Sequence, residues 1–253
     1  MAETAVEAGV ERLIVAGGDG TLRDAASALV GSPTALAIVP CGTANDYAVT
    51  AGIPRDLHRA WELATTGEPV AVDIARVNGT HISLNLAGLG FDAEVVRAYH
   101  TAGAWQKKMP PRVRYYLSIA ATFRKFRGVR ARLWLDDEEV VIERLLLLAF
   151  GAARQYGDGM VIAPDARLAD GRLDAVWATE LSTGELMGLL PKLSRAGHVG
   201  HPKVSFRTFQ RMRVETEPPM AFHIEGDLFG QSPLEIEVVP GALRLVAGPE
   251  AKL

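Results

Sequence analysis

The chain has 253 residues, with 48% hydrophobic and 23% charged side chains, which is the composition of a globular protein able to bury a sizeable core. A formal net charge of −3 argues against bulk nucleic-acid binding. The single cysteine, Cys41, excludes an internal disulfide and fits a reducing compartment. Because the sequence also shows neither a signal-peptide pattern nor an apolar run of transmembrane length, we expect a cytoplasmic protein.

The first part of the chain predicts two successive strand–loop–helix units. Residues 3–9 are helix-like, residues 12–16 predict a strand, and a glycine-rich loop then leads into a helix at 22–30. A second strand is predicted at 35–39, followed by the loop PCGTANDYA at 40–48. Short buried strands connected in this way favour a parallel sheet, whose ligands bind at the carboxyl ends of the strands.

From about residue 69 the pattern changes to short β-rich runs, separated by turn signals such as Asn78-Gly79 and Asp170-Gly171. This pattern predicts a mostly antiparallel β-sandwich or barrel. Helices are predicted to interrupt it near 112–127 and 183–195.

The same change of pattern sets the expected domain division. We expect an α/β domain over residues 1–70 and a β domain over residues 71–239. The last strand or tail, near 240–253, is a candidate to rejoin the first domain.

Three glycines surround Asp19 in the loop GGDGT, residues 17–21. Glycines let backbone N–H groups approach an anion closely, and the amino terminus of the following helix adds a favourable dipole. Asp19 itself repels phosphate, so a metal ion or a hydroxyl is its expected partner. The alternative is a glycine-rich turn that only shapes the strand-to-helix connection.

The second loop offers a hydroxyl, an amide and a carboxylate from Thr43, Asn45 and Asp46, directly after Gly42. All three side chains are also good helix N-caps, which is the alternative interpretation. Asp73 stands inside the apolar run PVAVDIARV, where a charge needs a partner. We therefore predict a polar network that Asp73 shares with Asp19 and Asp46.

His198 and His201 have a spacing compatible with a metal site. They lie in a segment bounded by glycine and proline with no nearby partner, so we expect them at the surface.

Taken together, GGDGTL, PCGTANDYA and VDIARVNG resemble the bacterial lipid kinases of the diacylglycerol kinase catalytic-domain superfamily, the YegS-like kinases. The similarity covers nearly all of the chain. GGDGT alone is shared with NAD kinases and, in weaker form, with phosphofructokinases. Later segments that agree with the resemblance are NLAGLGFDAEV at 85–95, YGDGMVIAPDARLADGRLDAV at 156–176, HIEGDLFG at 223–230 and VVPGALRLV at 238–246.

The resemblance implies a parallel-sheet α/β nucleotide-binding domain of the NAD kinase and diacylglycerol kinase type, followed by a mostly antiparallel β-sandwich domain. It implies ATP- and Mg²⁺-dependent transfer of the γ-phosphate to a hydroxyl of a lipid such as diacylglycerol, in the cleft between the domains. The residues implied to bind ATP with its magnesium are Gly17, Gly18, Asp19, Gly20, Thr21, Leu22, Arg23, Thr43, Asn45, Asp46 and Asp73. Of these, the three aspartates match the residues that hold magnesium and waters.

The family's Asp-Gly-Glu motif, whose acid takes the proton from the lipid hydroxyl, falls on Glu225-Gly226-Asp227. The two acids are exchanged here, which displaces each carboxylate by about one methylene, and small misplacements cost rate. Asp227 is favoured as the base because it matches the usual position, and Glu225 is the alternative.

The segment DARLADGRL, residues 165–173, matches a loop that binds a structural magnesium in the family. The implied ligands are Asp170 and the carbonyls of Arg167 and Arg172, and ligation by oxygen alone suits this hard cation. A plain Asp-Gly turn is the alternative.

The family has a strand, an asparagine- and glycine-containing nucleotide loop, a helix and a further strand ahead of GGDGT. Here only a short helical segment precedes the first predicted strand. We expect a misassigned start codon or a truncation, with a natural variant of doubtful activity as the alternative.

Between Val95 and Leu135 there is no acidic residue. A basic segment with aromatic residues on a helix fits docking on an anionic lipid surface, at about 1 kcal/mol per basic side chain near it. We expect peripheral contact with the inner membrane face, and the alternative is a helix packed in the core. The basic residues are Arg97, Lys107, Lys108, Arg112, Arg114, Arg124, Lys125, Arg127, Arg130 and Arg132. The aromatic and apolar residues are Tyr115, Tyr116, Ile119, Phe123 and Phe126.

Two other functions stay open on the sequence alone: a metabolite kinase of the NAD kinase type, and a catalytically inactive lipid- or nucleotide-binding relative. The sequence does not decide the oligomeric state, so a homodimer is also open. The sequence does not identify which lipid is the acceptor, since apolar pockets discriminate weakly between acyl chains.

Overall fold

The computed structural model describes residues 1–103 and 105–253, apart from the side chains of Lys107 and Arg112, which belonged to the basic segment above. The α-helices are α1 (Ala2–Glu7), α2 (Asp19–Leu29), α3 (Asp46–Thr50), α4 (Leu57–Thr66), α5 (Phe91–His100), α6 (Pro111–Phe123) and α7 (Thr183–Leu189). The 3₁₀-helices are Gln106–Lys108 and Leu190–Arg195.

The β-strands follow the predicted change from a helix-rich to a strand-rich chain. They are β1 (Arg12–Gly17), β2 (Ala35–Pro40), β3 (Pro69–Val77), β4 (His81–Ser83), β5 (Leu86–Gly90), β6 (Val129–Leu135), β7 (Glu138–Gly151), β8 (Gln155–Tyr156), β9 (Met160–Val161), β10 (Leu173–Thr179), β11 (Val204–Phe209), β12 (Arg211–Glu217), β13 (Ala221–Ile224), β14 (Asp227–Gln231) and β15 (Leu234–Val246).

Parallel pairing is confined to the amino-terminal part of the main sheet. β1 pairs with β2 in parallel, and the end of β15 joins β2 in parallel where Leu245 lies opposite Leu36. The rest of the sheet is antiparallel. Its strands follow the order β15-β12-β6-β7-β5-β13-β14, and β3, β4, β10 and β11 pair at its sides. The predicted fold class, a parallel α/β unit followed by a mostly antiparallel β-sandwich, is confirmed.

The two largest hydrophobic cores of the described chain lie along this sheet, and β15 contributes to both. Leu243 and Leu245 pack in the amino-terminal core, whereas Leu234 and Ile236 pack in the carboxy-terminal core. β3 is shared in the same way between the two cores. The division at residue 70 therefore stays a proposal, because two strands run through both parts.

Local sequence explains where the predicted helices begin and end. α2 starts at Asp19, three residues earlier than predicted, because the glycine-rich residues form its first turn. The helix predicted at 183–195 is divided into α7 and a 3₁₀-helix, since Pro191 lacks the N–H that an α-helix interior needs. In the described part of the chain, no helix combines the length and the apolarity needed to cross a bilayer.

The expectation that His198 lies at the surface is wrong. Its side chain is buried beside the 3₁₀-helix Leu190–Arg195, and its Nε2 lies 2.8 Å from the Ile162 carbonyl oxygen. Burial lowers the pKa of His198, so the ring is a neutral part of the core. His201 is partly exposed, and its Nδ1 accepts a hydrogen bond from Lys203 N.

Because β15 connects both cores, a cavity at its carboxyl end is expected to destabilise the protein. Leu245 is fully buried, and Leu245→Ala is expected to lower the free energy of unfolding by about 2–5 kcal/mol. Leu57 is 52% exposed, so Leu57→Ala is the matched control and is expected to change little. Chemical denaturation measures both, and equal effects of the two variants would contradict this role of β15.

Candidate active site

The two glycine-containing loops after β1 and β2 touch through their backbones. Cys41 N donates to Gly17 O at 3.0 Å, and a Cβ placed on Gly42 would lie 2.5 Å from Gly18 Cα. These glycines are therefore needed for loop-to-loop contact. Gly20 differs from them, because a Cβ placed there would meet nothing within 4 Å. It borders open space at the edge of the sheet.

Asp19 fastens the first loop to the helix that follows the second. Its carboxylate accepts hydrogen bonds from Tyr47 N at 2.9 Å and Asp46 N at 3.3 Å, so it caps α3 from a neighbouring helix. Asn45 closes its own loop, because its amide group both accepts from and donates to the backbone of Gly42, each at 2.8 Å. Thr43 remains exposed between them.

The amino terminus of α2 presents unsatisfied backbone donors. The N–H groups of Asp19, Gly20 and Thr21 have no partner within the helix, and Gly20 and Thr21 are exposed. Leu22 differs from the prediction, since its side chain is fully buried and its N–H donates to Gly18 O. It supports the loop from the core, whereas the residues before it can bind an anion.

Asp46 is buried, and its carboxylate holds a segment of the carboxy-terminal part of the chain. It accepts hydrogen bonds from Gln155 Nε2, Asp158 N and Gly159 N, each at 2.9 Å. Burial raises the pKa of Asp46 and nearby Asp19 adds to the rise, against the lowering effect of these donors. Asp46 thus orders the loop at 157–159 beside the GGDGT loop.

Asp73 does not share the hydrogen-bond network of Asp19 and Asp46, which corrects the prediction. Its Oδ2 accepts from Gly171 N at 2.7 Å and its Oδ1 accepts from Gly241 N at 2.8 Å. Gly241 has a φ of +59° within the irregular part of β15. Asp73 is therefore satisfied by the loop at Gly171 and by the irregular part of β15, which explains how a charge is tolerated inside β3.

Glu225 reaches from the end of β13 to the backbone between β4 and β5. Its Oε1 accepts from Leu84 N at 2.7 Å, Asn85 N at 2.8 Å and the Ser83 hydroxyl at 3.2 Å. Its Oε2 accepts no hydrogen bond within the described residues. Burial raises the pKa of Glu225 to about 7, although these donors oppose the rise.

Arg23 joins α2 to the turn that carries the two acids. Its Nη2 lies 2.7 Å from Asp227 Oδ2, and its Nη1 donates to Ile224 O at 3.1 Å. Burial by itself lowers the pKa of Arg23. The hydrogen bond to Asp227 and the negative charges of Glu225 and Asp227 have the larger combined effect, so the pKa is raised. Asp227 itself is about half exposed, so the arginine rather than the protein interior fixes its position.

The predicted structural magnesium loop is held by its own contacts. Asp170 Oδ1 accepts from Arg172 N at 3.1 Å, and the Arg172 side chain contacts Asp136. Arg167 donates to the Leu253 carbonyl at 3.1 Å. In the described part of the chain, no three acidic, histidine or cysteine side chains converge as metal ligands.

A carboxyl near the start of β10, directly after this loop, was not found from the sequence. Burial raises the pKa of Asp174 to about 6, and the charges of Asp170 and Asp165 add to the rise. These three carboxylates are close enough to interact electrostatically, but within the described residues they do not converge on one point.

Comparison with known proteins decides the family. Residues 1–77 match the diacylglycerol kinase catalytic domain, and residues 85–247 match the YegS C-terminal NAD kinase beta sandwich-like domain. A diacylglycerol kinase of Mycobacterium tuberculosis is 32% identical over 247 residues, covering 96% of this chain and 78% of that protein. The chain belongs to the YegS-like diacylglycerol kinase family.

Further relatives agree with this family. A protein of Pectobacterium atrosepticum named "Probable lipid kinase YegS-like" is 30% identical over 263 residues, with 99% of this chain and 83% of that protein covered. The crystal structure of a diacylglycerol kinase from Bacillus anthracis shares the fold, with a TM-score of 0.70 at 21% identity over 98% of this chain and 81% of that one.

In this YegS-like kinase, the structure brings most of the predicted residues to one cleft. The GGDGT loop, the second loop and the Glu225-Gly226-Asp227 turn are linked through Asp19 and Arg23. Asp73 and the Asp170 loop lie in a separate hydrogen-bonded group.

Two buried polar residues next to the cleft, Asp92 and His223, were missed. Each stands in an apolar run, LAGLGFDAEV and AFHIEGD, which is the same signal that singled out Asp73.

The raised pKa of Glu225 predicts a pH-dependent stability. Because the folded pKa of about 7 exceeds the ordinary value of 4.5, the ionised carboxylate disfavours folding above pH 7 and stability is gained as the pH falls toward 4.5. We compare the melting temperature of Glu225→Gln with that of wild type at two pH values. The variant is expected to gain about 2–4 °C more over wild type at pH 8 than at pH 5. Exposed Glu138→Gln is the control, and a pH-independent difference for Glu225→Gln would refute the assignment.

Proposed function

We propose that this chain is an ATP- and Mg²⁺-dependent lipid kinase that transfers the γ-phosphate to a hydroxyl of a lipid such as diacylglycerol. The observation that carries the proposal is the Arg23 contact, which joins the anion-binding end of α2 to a turn with two carboxylates. Family membership supports kinase chemistry, and the names of the relatives support a lipid acceptor.

The chain's own residues fit the phosphates of a nucleotide. The unpaired N–H groups at the start of α2 and the open space beside Gly20 suit an anion, and Arg23 lies one turn further along the helix. Asp19 and Asp46 are the carboxylates nearest this end, and Thr43 is exposed beside them. Bound Mg²⁺ would supply charge neutralisation at the phosphates, which is the main requirement of phosphoryl transfer.

Glu225 is the base that the geometry favours, which reverses the sequence preference for Asp227. Its Oε1 is fixed by three donors, whereas Oε2 is left to accept the proton of the lipid hydroxyl. The hydroxyl oxygen bonds to the γ-phosphorus while the bond from that phosphorus to the bridging oxygen breaks, and ADP leaves. A pKa of about 7 suits a base at neutral pH. Asp227 is engaged by Arg23 and holds that cation at the cleft.

An apolar cavity supports a lipid acceptor. It has a volume of about 100 Å³, lies between α5, α6, α7 and the sheet, and is lined by residues such as Phe91, Ile119, Leu147, Trp177 and Leu186. A groove of about 430 Å³ beside Thr43 shares the lining residues Tyr115, Met160 and Leu190 with it. These shared residues form a common wall between the groove and the cavity, and the proposal is that acyl chains enter the cavity from the groove past this wall.

Peripheral membrane contact is proposed for the exposed face of α6. Ile119 is buried and Tyr115 and Phe123 are partly buried against the core, so they are not the docking face suggested by the sequence. The exposed apolar residues are Val113, Tyr116 and Leu117, at helical spacing. Exposed Lys108, Arg124, Lys125 and Arg127 flank this face, which complements an anionic lipid surface.

A structural magnesium at Asp170, with the carbonyls of Arg167 and Arg172, is part of the proposal. The raised pKa of Asp174 supports it: burial causes most of the rise and the charges of Asp170 and Asp165 add to it, and a cation nearby would favour the ionised carboxylate.

The kinase proposal is tested by labelled phosphate transfer from ATP to lipid in mixed micelles with Mg²⁺. Wild type is expected to label one lipid class, at a rate that rises with pH through about 7 as Glu225 ionises. Glu225→Gln is expected to lower kcat by about 100-fold or more, and Asp227→Asn by less. Glu138→Gln is the surface control. Nucleotide or lipid binding without transfer would instead identify an inactive relative, and labelling of NAD alone a metabolite kinase.

The membrane proposal is tested by sedimentation with phosphatidylglycerol-containing vesicles. Tyr116→Ser/Leu117→Ser is expected to weaken binding by about tenfold, because two apolar side chains no longer leave water. Leu57→Ser/Trp61→Ser is the matched control, since these α4 residues are equally exposed. Wild-type binding by the α6 variant, or equal loss in both variants, would rule out α6 as the contact.

A further inference from the structure

A buried aspartate–histidine pair lies directly behind the turn that carries Glu225 and Asp227. Asp92 and His223 are 5% and 2% exposed, and His223 Nε2 lies 3.3 Å from Asp92 Oδ2. The other ring nitrogen, Nδ1, accepts a hydrogen bond from Gly226 N at 3.3 Å. Because Gly226 N is a donor, Nδ1 is the accepting nitrogen of the ring, and this leaves Nε2 to direct a proton at Asp92.

Asp92 is itself held in one orientation. The Tyr156 hydroxyl donates to Oδ2 at 3.2 Å, and Ala93 N donates to Oδ1 at 2.9 Å. Asp92 lies in the first turn of α5, where the helix dipole favours a negative charge. The carboxylate thereby fixes the tautomer and the ring orientation of His223.

The backbone of β5 is shaped around this pair. A Cβ placed on Gly88 would lie 1.7 Å from Asp92 Oδ2 and 2.6 Å from His223 Nε2. Gly88 therefore leaves the space in which the two side chains meet, and no larger residue fits without displacing them.

The turn needs such support because its backbone is unusual. Glu225 has a φ of +50° and Gly226 a φ of +90°, and the left-handed region is unfavourable for a residue with a side chain. Gly226 is held on both sides, since its N–H donates to His223 and its carbonyl lies 3.2 Å from His100 Nε2. The placement of both acids follows from the placement of this peptide.

We propose that Asp92 and His223 are positioning residues for phosphoryl transfer: they fix the Gly226 turn and thereby the carboxylates of Glu225 and Asp227. The inference rests on the proposed kinase function. Neither residue touches the substrate, so their effect appears in the rate of transfer and leaves nucleotide binding at α2 unchanged.

Two matched substitutions of His223 separate its contact with Gly226 from its contact with Asp92. His223→Asn keeps an acceptor near the position of Nδ1 for the Gly226 N–H, whereas His223→Gln keeps a donor near the position of Nε2 for Asp92 and loses that acceptor. Gly88→Ala displaces the pair from the opposite side. Each variant is measured for kcat, for KM of ATP, for melting temperature and for hydrogen–deuterium exchange of the turn at 225–227.

His223→Gln is expected to lower kcat by about 10–100-fold with an unchanged KM for ATP and faster exchange at the turn, because displacement of a catalytic group by a fraction of an ångström costs rate. Gly88→Ala is expected to behave in the same way, and His223→Asn to keep a kcat closer to wild type. The proposal would be overturned if His223→Asn and His223→Gln lost kcat equally and in proportion to their fall in melting temperature. Unchanged hydrogen–deuterium exchange at the turn in His223→Gln would also overturn it.

Failure of the kinase proposal gives a different result. In that case wild type transfers no phosphate, while exchange at 225–227 in the His223→Gln variant still reports whether the histidine holds the turn.

Discussion

The site depends on carboxylates that accept hydrogen bonds from the backbone of distant loops. Asp19 binds the start of α3, Asp46 binds the loop at 157–159, and Glu225 binds the backbone after β4. Asp73, outside this group, accepts hydrogen bonds in the same way from the loop at Gly171 and from the irregular part of β15. Each of these loops has N–H groups that no strand or helix satisfies, and a charged acceptor forms a stronger hydrogen bond with them than a neutral one. The acids therefore hold the loops in place before they can take part in any chemistry.

This way of ordering loops concentrates negative charge in the cleft. Asp19 raises the pKa of both Asp46 and Glu225, so the three carboxylates are electrostatically coupled. Arg23 offsets part of the charge, because its side chain extends from α2 to the acid turn. The same arrangement suits a cation near the phosphates and keeps one carboxyl close to neutrality, where it can exchange a proton at physiological pH.

Sequence reasoning predicted the fold class and singled out the two glycine-containing loops and the acid turn, because glycine loops and isolated acids leave strong local signals. It did not predict which backbone groups those acids bind. Asp73 is bonded to Gly171 and Gly241, which are about 100 and 170 positions away along the chain. His198 was placed at the surface because its loop is rich in glycine and proline, yet tertiary packing buries it.

The exchanged order of Glu225 and Asp227 is consistent with the contacts on either side of Gly226. At position 225 the carboxylate must cross from β13 to the backbone N–H groups of Leu84 and Asn85, and glutamate has the longer reach. At position 227 the carboxylate meets Arg23, whose own long side chain spans the distance, so the shorter aspartate suffices. The partly buried acid thus has the raised pKa and the exposed acid has the ion pair. Identity at the two positions follows from the distance each side chain has to cover, and with it the division between an acid that binds backbone N–H groups and an acid that binds the arginine.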